Sequence, residues 1–378
     1  MTLRPEERLL LACAGVGADR LRPGGLAELA GQVTDWDRLI QLAQRRRLVP
    51  PLYPALSREA ADAVPPAMLA RLKNLHVSNT IQSAFLVQEL RKTLELLESN
   101  QVRAIPFKGP LMALQLYGDP SLRQVGDLDF FVHPEDLPRA RALLLSAGYE
   151  PLVRLTAPEQ RAYDRGGRSS CLFNPGGQGS MDLHTAIVPR WFSFDMPPER
   201  LWAGQEEVTL EGRAYRTLSL DNLALILCVH GGKHVWERLS WIVDVAMLLR
   251  KRGRLTLAGL IETARERGAL RMLLVGLQLV REVAGDALPA EADEAIQRDP
   301  AVAALARAAA ARALADPQAA FAPVEDVRFH LAIRERRRDR ARYRWRKLFT
   351  TTEADWKSFP LPEPLFPLYS VTRPFRLV

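Results

Sequence analysis

Asp127 and Asp129 stand one residue apart in VGDLDFFV, a segment that is otherwise almost wholly apolar. Such a run reads as a β-strand, in which residues i and i+2 leave the same face roughly 7 Å apart. Two carboxylates placed in this way are not core residues, because unpaired charge is too costly to bury. They suit the holding of one or two divalent cations for a phosphoryl-type transfer. The competing reading of an isolated Asp-Leu-Asp is a solvated sheet edge or a pair of helix-capping acids. Against it, Phe130, Phe131 and Val132 carry the strand on into a core.

Two neighbouring features add to the carboxylate pair. Lys108 and Gly109 fall between a short strand over 102–107 and a helix over about 110–117. Glycine at such a junction lets backbone approach a phosphate, and the helix N-terminus offers free N–H groups. In MDLHT, Met181 and Leu183 face one way while Asp182 and His184 face the other. A third acid on a neighbouring strand is what a two-metal site needs to hold its second ion and to accept the nucleophile's proton.

The surrounding pattern places this unit within a larger chain. Helices fill residues 1–100, among them one capped by Thr34 ahead of Asp35 and one over 68–99 with apolar residues at helical spacing. Strands and helices alternate over 101–218, with strands near 170–174 and 180–184 joined by the turn PGGQG, which gives a small α/β unit. Residues 219–316 read as a helical domain, with a break expected at Gly231-Gly232 and further helices over 256–284 and 301–316. Residues 317–378 read as a basic, proline-rich arm.

Charge and cysteine usage narrow the class. The net charge is +8, and residues 334–347 carry nine basic residues against two acidic ones, so the rest of the chain is close to neutral. That argues against a nucleic-acid binder by composition, while the run itself, interleaved with Tyr343 and Trp345, suits RNA or phosphate-backbone contact. A solvated basic helix, or one docked on a dimer mate, is the alternative. Cys13, Cys171 and Cys228 are too scattered for a disulfide framework or a zinc site. No apolar run approaches the length needed to span a bilayer. A cytosolic protein without a membrane partner is expected.

Several single residues have more than one reading. Arg123 is a surface residue, a phosphate bridge or a brace for an aspartate. His184 orients Asp182, contacts a nucleotide or bonds within the sheet. His230 and His234 have the spacing of a zinc protease, but Gly231 stands where that motif needs glutamate. With Lys233 they are expected to face a cleft instead. Trp236 and Trp241 read as core, with Trp236 as an alternative base-stacking platform, and Asp244 as a partner for a basic residue.

The order strand, Lys108-Gly109, helix, Asp127-Leu128-Asp129, then Asp182-Leu183-His184 resembles the nucleotidyltransferase superfamily related to DNA polymerase β. More narrowly, with Tyr117, Arg123 and the stretch from His230 to Trp241, residues from about 30 to 250 are similar to a bacterial family of uncharacterised nucleotidyltransferases. The resemblance implies a small mixed-sheet core of that fold, α+β or α/β in class, flanked by helical regions at both ends. It implies that Asp127 and Asp129 bind two Mg2+ ions (or Mn2+) and that Asp182 binds the second and helps deprotonate the acceptor. Lys108, the Gly109 backbone, Arg123, His184, Lys233 and His234 would serve an NTP substrate. An acceptor oxygen would attack the α-phosphorus in line and release pyrophosphate. The chain departs from the superfamily at Gly109-Pro110, where Gly-Ser or Gly-Gly is usual, and seventeen residues separate Gly109 from Asp127. Pro110 has neither hydroxyl nor N–H to give a phosphate, so Lys108 and Arg123 take that role or triphosphate binding is weakened. The expected acceptor is a small molecule or a peptide or protein. The alternatives are an RNA acceptor held through 334–347, as in a tRNA-modifying toxin, and a catalytically silent nucleotide- or partner-binding module.

Overall fold

The computed structural model describes residues 3–17, 21–167, 169–177, 179–251, 253, 256–285, 287–315 and 322–376. The chain begins with α1 (Pro5–Cys13), α2 (Gly25–Gly31), α3 (Trp36–Arg46) and α4 (Leu52–Glu59), packed through Leu9, Leu10, Leu39, Ile40 and Leu52. Asp35, not Thr34, caps α3, and its carboxylate accepts from the Arg38 N–H at 2.8 Å. The helix closes on Arg47, whose φ of 56° is left-handed.

Next comes α5 (Pro66–Ser99), 34 residues and therefore about 50 Å long. The sheet is built from β1 (Ala104–Pro106), β2 (Asp127–Val132), β3 (Glu150–Pro151), β4 (Ser170–Phe173) and β5 (Ser180–His184) in the order β1-β2-β5-β4-β3. Between these strands lie α6 (Gly109–Tyr117), α7 (Leu137–Ser146) and α8 (Ala157–Arg165). The β2–β5 pairing is parallel and the other pairings are antiparallel, so the sheet is mixed as expected.

The pleat gives the sheet two different faces. Leu128, Phe130 and Val132 join Met181 and Leu183 in a core with Leu86, Leu90, Leu94 and Leu97 of α5 and Ala140 and Leu144 of α7. Phe131, with Ile105 and Phe107, belongs instead to the core of the helical regions. Asp127 and Asp129 alternate with Leu128 and Phe130, so they lie on that second face, toward the helices.

A hairpin unforeseen in the sequence follows α9 (Pro198–Ala203). It pairs β6 (Gln205–Leu210) with β7 (Arg213–Leu218) around Glu211-Gly212, both at positive φ. Thr217 Oγ1 donates to the Pro106 carbonyl at 2.6 Å and ties the hairpin to β1.

The expected break at Gly231-Gly232 does not occur. α10 (Leu220–Lys233) runs through both glycines, and the chain turns afterwards, where Val235 and Trp236 take φ of 51° and 54°. The reason is packing: a Cβ on Gly231 would sit 2.6 Å from the Trp236 indole. α11 (Leu239–Leu249) follows. The single run expected over 256–284 is two helices, α12 (Leu257–Arg267) and α13 (Leu270–Ala284), parted at Gly268, whose φ is 69°. After α14 (Ala290–Gln297), the alanine face of α15 (Ala301–Leu314) packs against α13.

The described part of the expected arm is α16 (Pro323–Ala332), α17 (Arg337–Phe349), α18 (Glu353–Ser358) and α19 (Pro367–Arg376). Only Arg334 of its basic run is buried. Arg334 is 1% exposed, donates to the His330 and Phe192 carbonyls, and stacks on the Phe192 and Tyr343 rings. Arg336 and Arg340 also donate to backbone carbonyls, while Arg337, Arg338, Arg342 and Arg344 face outward. Among the described residues no helix is long and apolar enough to cross a membrane.

Candidate active site

The parallel pairing of β2 with β5 sets Asp129 level with Asp182, and Asp127 level with Ser180. Asp129, Asp182 and His184 each bring one ligand atom to within 4.8 Å of the other two. His184 Nε2 and Lys108 Nζ both donate to Asp129 Oδ1, at 2.8 and 3.1 Å. Because a carboxylate only accepts, Nε2 carries the His184 proton. Asp182 Oδ1 is buried and has no hydrogen-bond partner.

The three acids therefore differ from the expected trio. Asp127 stands at the exposed end of β2, outside the tight group, and His184 takes a place within it. Asp129 is not a free carboxylate, since Lys108 and His184 already share one of its oxygens. Burial works to raise its carboxyl, but Lys108 and then His184 outweigh that and hold it well below the usual carboxylate range. Asp127 moves the other way: although its side chain reaches solvent, the protein crowding one side of it and the neighbouring Asp129 charge raise it, against an opposing pull from Lys108. Cys171 lies across from Asp182 on β4. Burial and the Asp182 charge push its thiol up to about 12.

These donors fit a hard divalent cation. Carboxylate oxygens suit such an ion, and the unsatisfied Asp182 oxygen is an acceptor without a positive partner. His184, whose Nε2–H is given to Asp129, braces that carboxylate and does not offer Nε2 as a ligand.

The acid face opens on a cavity of about 160 Å³ between the sheet and the α10–α11 turn. Asp127, Asp129, Lys108, Gly109 and Arg123 line it on one side, and His230, His234 and Trp241 on the other. Gly109 takes φ of 61° and approaches β2 so closely that a Cβ would lie 3.3 Å from the Asp127 carbonyl oxygen. The glycine's room is thus taken up by the β2 backbone, whereas the sequence reading expected it to admit a phosphate. Burial and nearby cations depress both histidines, His234 to about 3, so the rings are neutral at physiological pH. Lys233 is not part of this wall; its backbone carbonyl accepts from His330 at 2.8 Å. Trp236 is wholly buried against Gly231 and Gly276, whereas Trp241 reaches the cavity.

Arg123 is a brace for an aspartate, one of its expected roles, and the aspartate is Asp244, itself expected to partner a basic residue, not one of the acids on the strands. It forms a two-pronged pair with Asp244 of α11, at 3.0 and 3.1 Å, and Tyr117 donates to the same carboxylate at 2.7 Å. Asp244 is 0% exposed. Burial works to lower the Arg123 guanidinium, but Asp244 more than restores it. The triad ties α6, the loop before β2 and α11 into one frame around the cavity.

Sequence reasoning missed Arg47 and Arg238, which line the cavity with no hydrogen-bonded acid partner among the described residues. Arg238 rests over the Trp241 ring at 5.2 Å. Burial and then the Arg238 charge lower Arg47, with Asp127 pulling the other way. The run Arg45-Arg46-Arg47 carried no sign of this, because only the left-handed turn after α3 aims its last member at the sheet. Two cations near each other attract an anion, although Asp127, Asp129 and Glu237 line the same cavity.

One solved structure resembles the chain, an antigenic nucleotidyltransferase-like protein from Paracoccidioides brasiliensis. It is 15% identical over 61% of this chain and 92% of its own, with a TM-score of 0.31, too loose a likeness to carry an argument. No curated protein matches the sequence. The family described as uncharacterised nucleotidyltransferases matches residues 32–285, a span that runs from α3 through the paired acid strands and the α10–α11 wall to the end of α13. With two thirds of its length matched, cavity and acid cluster included, the chain belongs to the family of uncharacterised nucleotidyltransferases.

Proposed function

We propose that the chain transfers an NMP from an NTP to an acceptor hydroxyl in a reaction dependent on Mg2+ or Mn2+, releasing pyrophosphate. The observation that carries this reading is the Asp129–Asp182 register pair, with an unsatisfied oxygen on Asp182, beside a cavity lined by Arg47, Arg238 and Lys108. Asp129 and Asp182, with Asp127 at the rim, would hold the cations; when bound, these neutralise phosphate charge and activate the acceptor hydroxyl. Asp182, or Asp127 at the cavity rim, would take the acceptor's proton. Arg47, Arg238 and the Gly109 turn face the phosphates in place of the hydroxyl that Pro110 lacks.

The cavity is smaller than the roughly 300 Å³ at which pockets enclose a drug-sized ligand, so it suits phosphates and ions, with ribose and base projecting outward. A small molecule or a peptide is the favoured acceptor, because several basic residues of 334–347 are spent on internal contacts. The test is incubation with each labelled NTP, Mg2+ and candidate acceptors. Asp129→Asn and Asp182→Asn should each lower transfer by about a hundredfold or more while the fold persists. Normal transfer by the double variant would remove the reading.

A further inference from the structure

A second cavity, of about 400 Å³, lies away from the acid cluster, between α8, α17 and the α18–α19 segment. Arg165, Arg190 and Arg346 line it together with Trp345, Phe349 and Trp356, and no carboxylate does. Trp345 is 65% exposed although its ring lies against Phe349, with centroids 4.2 Å apart. Trp356 is 3% exposed, and its indole N–H is buried without an acceptor. Arg346 donates to the Arg190 carbonyl at 3.3 Å and approaches Asp195 only to 3.9 Å. Arg165 and Arg190 have no acid partner among the described residues. An ion pair between Arg161 and Glu363 joins two of the walls.

An exposed flat ring, guanidinium groups without acid partners and a volume that accommodates a mononucleotide are complementary to one chemistry, a base joined to a phosphate. Arg342, one helical turn before Trp345 and Arg346, extends the positive charge along α17. We propose that this cavity is a second nucleotide-binding site, separate from the transfer centre, with the base on Trp345 and the phosphate on Arg165 and Arg190. Arg190 follows His184 by six residues, so chain length keeps it within about 22 Å of the acid cluster. The inference stands on its own geometry and does not require the transfer reading.

The test is equilibrium dialysis of the full chain with labelled nucleoside monophosphates in EDTA, which keeps metal from the acid cluster. Trp345→Ala should weaken binding about tenfold or more. Arg165→Ala with Arg190→Ala should weaken it comparably, and Arg47→Ala with Arg238→Ala should remove at most the part of the binding that Trp345→Ala keeps. Equal affinity for a monophosphate and for a single-stranded RNA of about eight nucleotides supports a site for the free nucleotide. Much tighter, salt-sensitive RNA binding that is still lost in Trp345→Ala supports a strand. The inference is overturned if no monophosphate or RNA binds saturably below millimolar levels, if an acidic aromatic peptide binds there instead, or if the Arg47 and Arg238 variants lose the binding while Trp345→Ala keeps it. Asp129→Asn tells the two centres apart, since it should abolish transfer and leave this binding intact.

Discussion

The Lys108 ammonium donates at 3.1 Å to Asp129 Oδ1, the oxygen that also takes the His184 Nε2–H at 2.8 Å. A lysine thus occupies the carboxylate that a divalent cation would need. The pair keeps Asp129 ionised inside a buried site, and it sets a competition between ammonium and metal.

Replacing Lys108 with methionine removes a positive charge beside the cation position. Like charges about 4 Å apart repel by about 1–4 kcal/mol at surface-like dielectric, so Mn2+ affinity should rise at least fivefold. Transfer should fall, because the same ammonium is placed to face phosphate. Calorimetry with Mn2+ and a single-turnover assay check the two halves. Weaker Mn2+ binding in Lys108→Met would mean that the lysine positions Asp129 for metal instead of competing with it.

Asp244 holds Arg123 and Tyr117 from a fully buried position. Asp244→Ala leaves a buried guanidinium without its counter-ion, which should cost about 3–5 kcal/mol in denaturant unfolding. Arg123→Met combined with Asp244→Leu should recover much of that loss, since both charges then vanish together. A loss below about 1 kcal/mol in Asp244→Ala would show that the pair is solvent-screened.

The acid pair was legible in the sequence because alternation around Asp127, Asp129 and Asp182 fixes which side chains share a face. The strand order was not. Nothing local states that β5 lies beside β2 in parallel, and it is this pairing that brings His184 to Asp129. Arg123 was legible as a brace for an aspartate and Asp244 as a partner for a basic residue, but not that they pair with each other across 121 residues. The β6–β7 hairpin escaped notice because Glu-Gly is not the Asn-Gly or Asp-Gly signal of a tight turn. The glycine pair of α10 was read as a helix breaker because glycine usually is one. Here the missing side chain makes room for Trp236.

That packing can be measured. Gly231→Ala puts a methyl group 2.6 Å from the Trp236 ring, in a region with no exposed side to relax toward. Overpacking of this kind should destabilise by about 1–3 kcal/mol despite alanine's better helix propensity. An unchanged or raised Tm would show that the turn after α10 gives way freely.

His330 is buried. Its Nε2 donates to the Lys233 carbonyl at 2.8 Å, and its Nδ1 lies 3.0 Å from the Tyr343 hydroxyl. Burial lowers this group from the ordinary 6.5 to about 4, with the Lys233 hydrogen bond opposing and Arg334 adding to the fall. The unfolded chain therefore binds a proton between those two values that the folded chain refuses. Stability is complete above pH 6.5 and falls toward pH 4, by on the order of 2 kcal/mol from this residue. His330→Gln should flatten that part of the profile in thermal melts from pH 7 to pH 4, and an unaltered slope would exclude His330 as its source.

Mn2+ binding followed by electron paramagnetic resonance bears most directly on the acid cluster. The wild-type chain should bind Mn2+ and quench the free-ion signal, and Asp129→Asn with Asp182→Asn should weaken that binding about a hundredfold with circular dichroism unchanged. Equal Mn2+ binding by the wild type and the double variant would contradict the account.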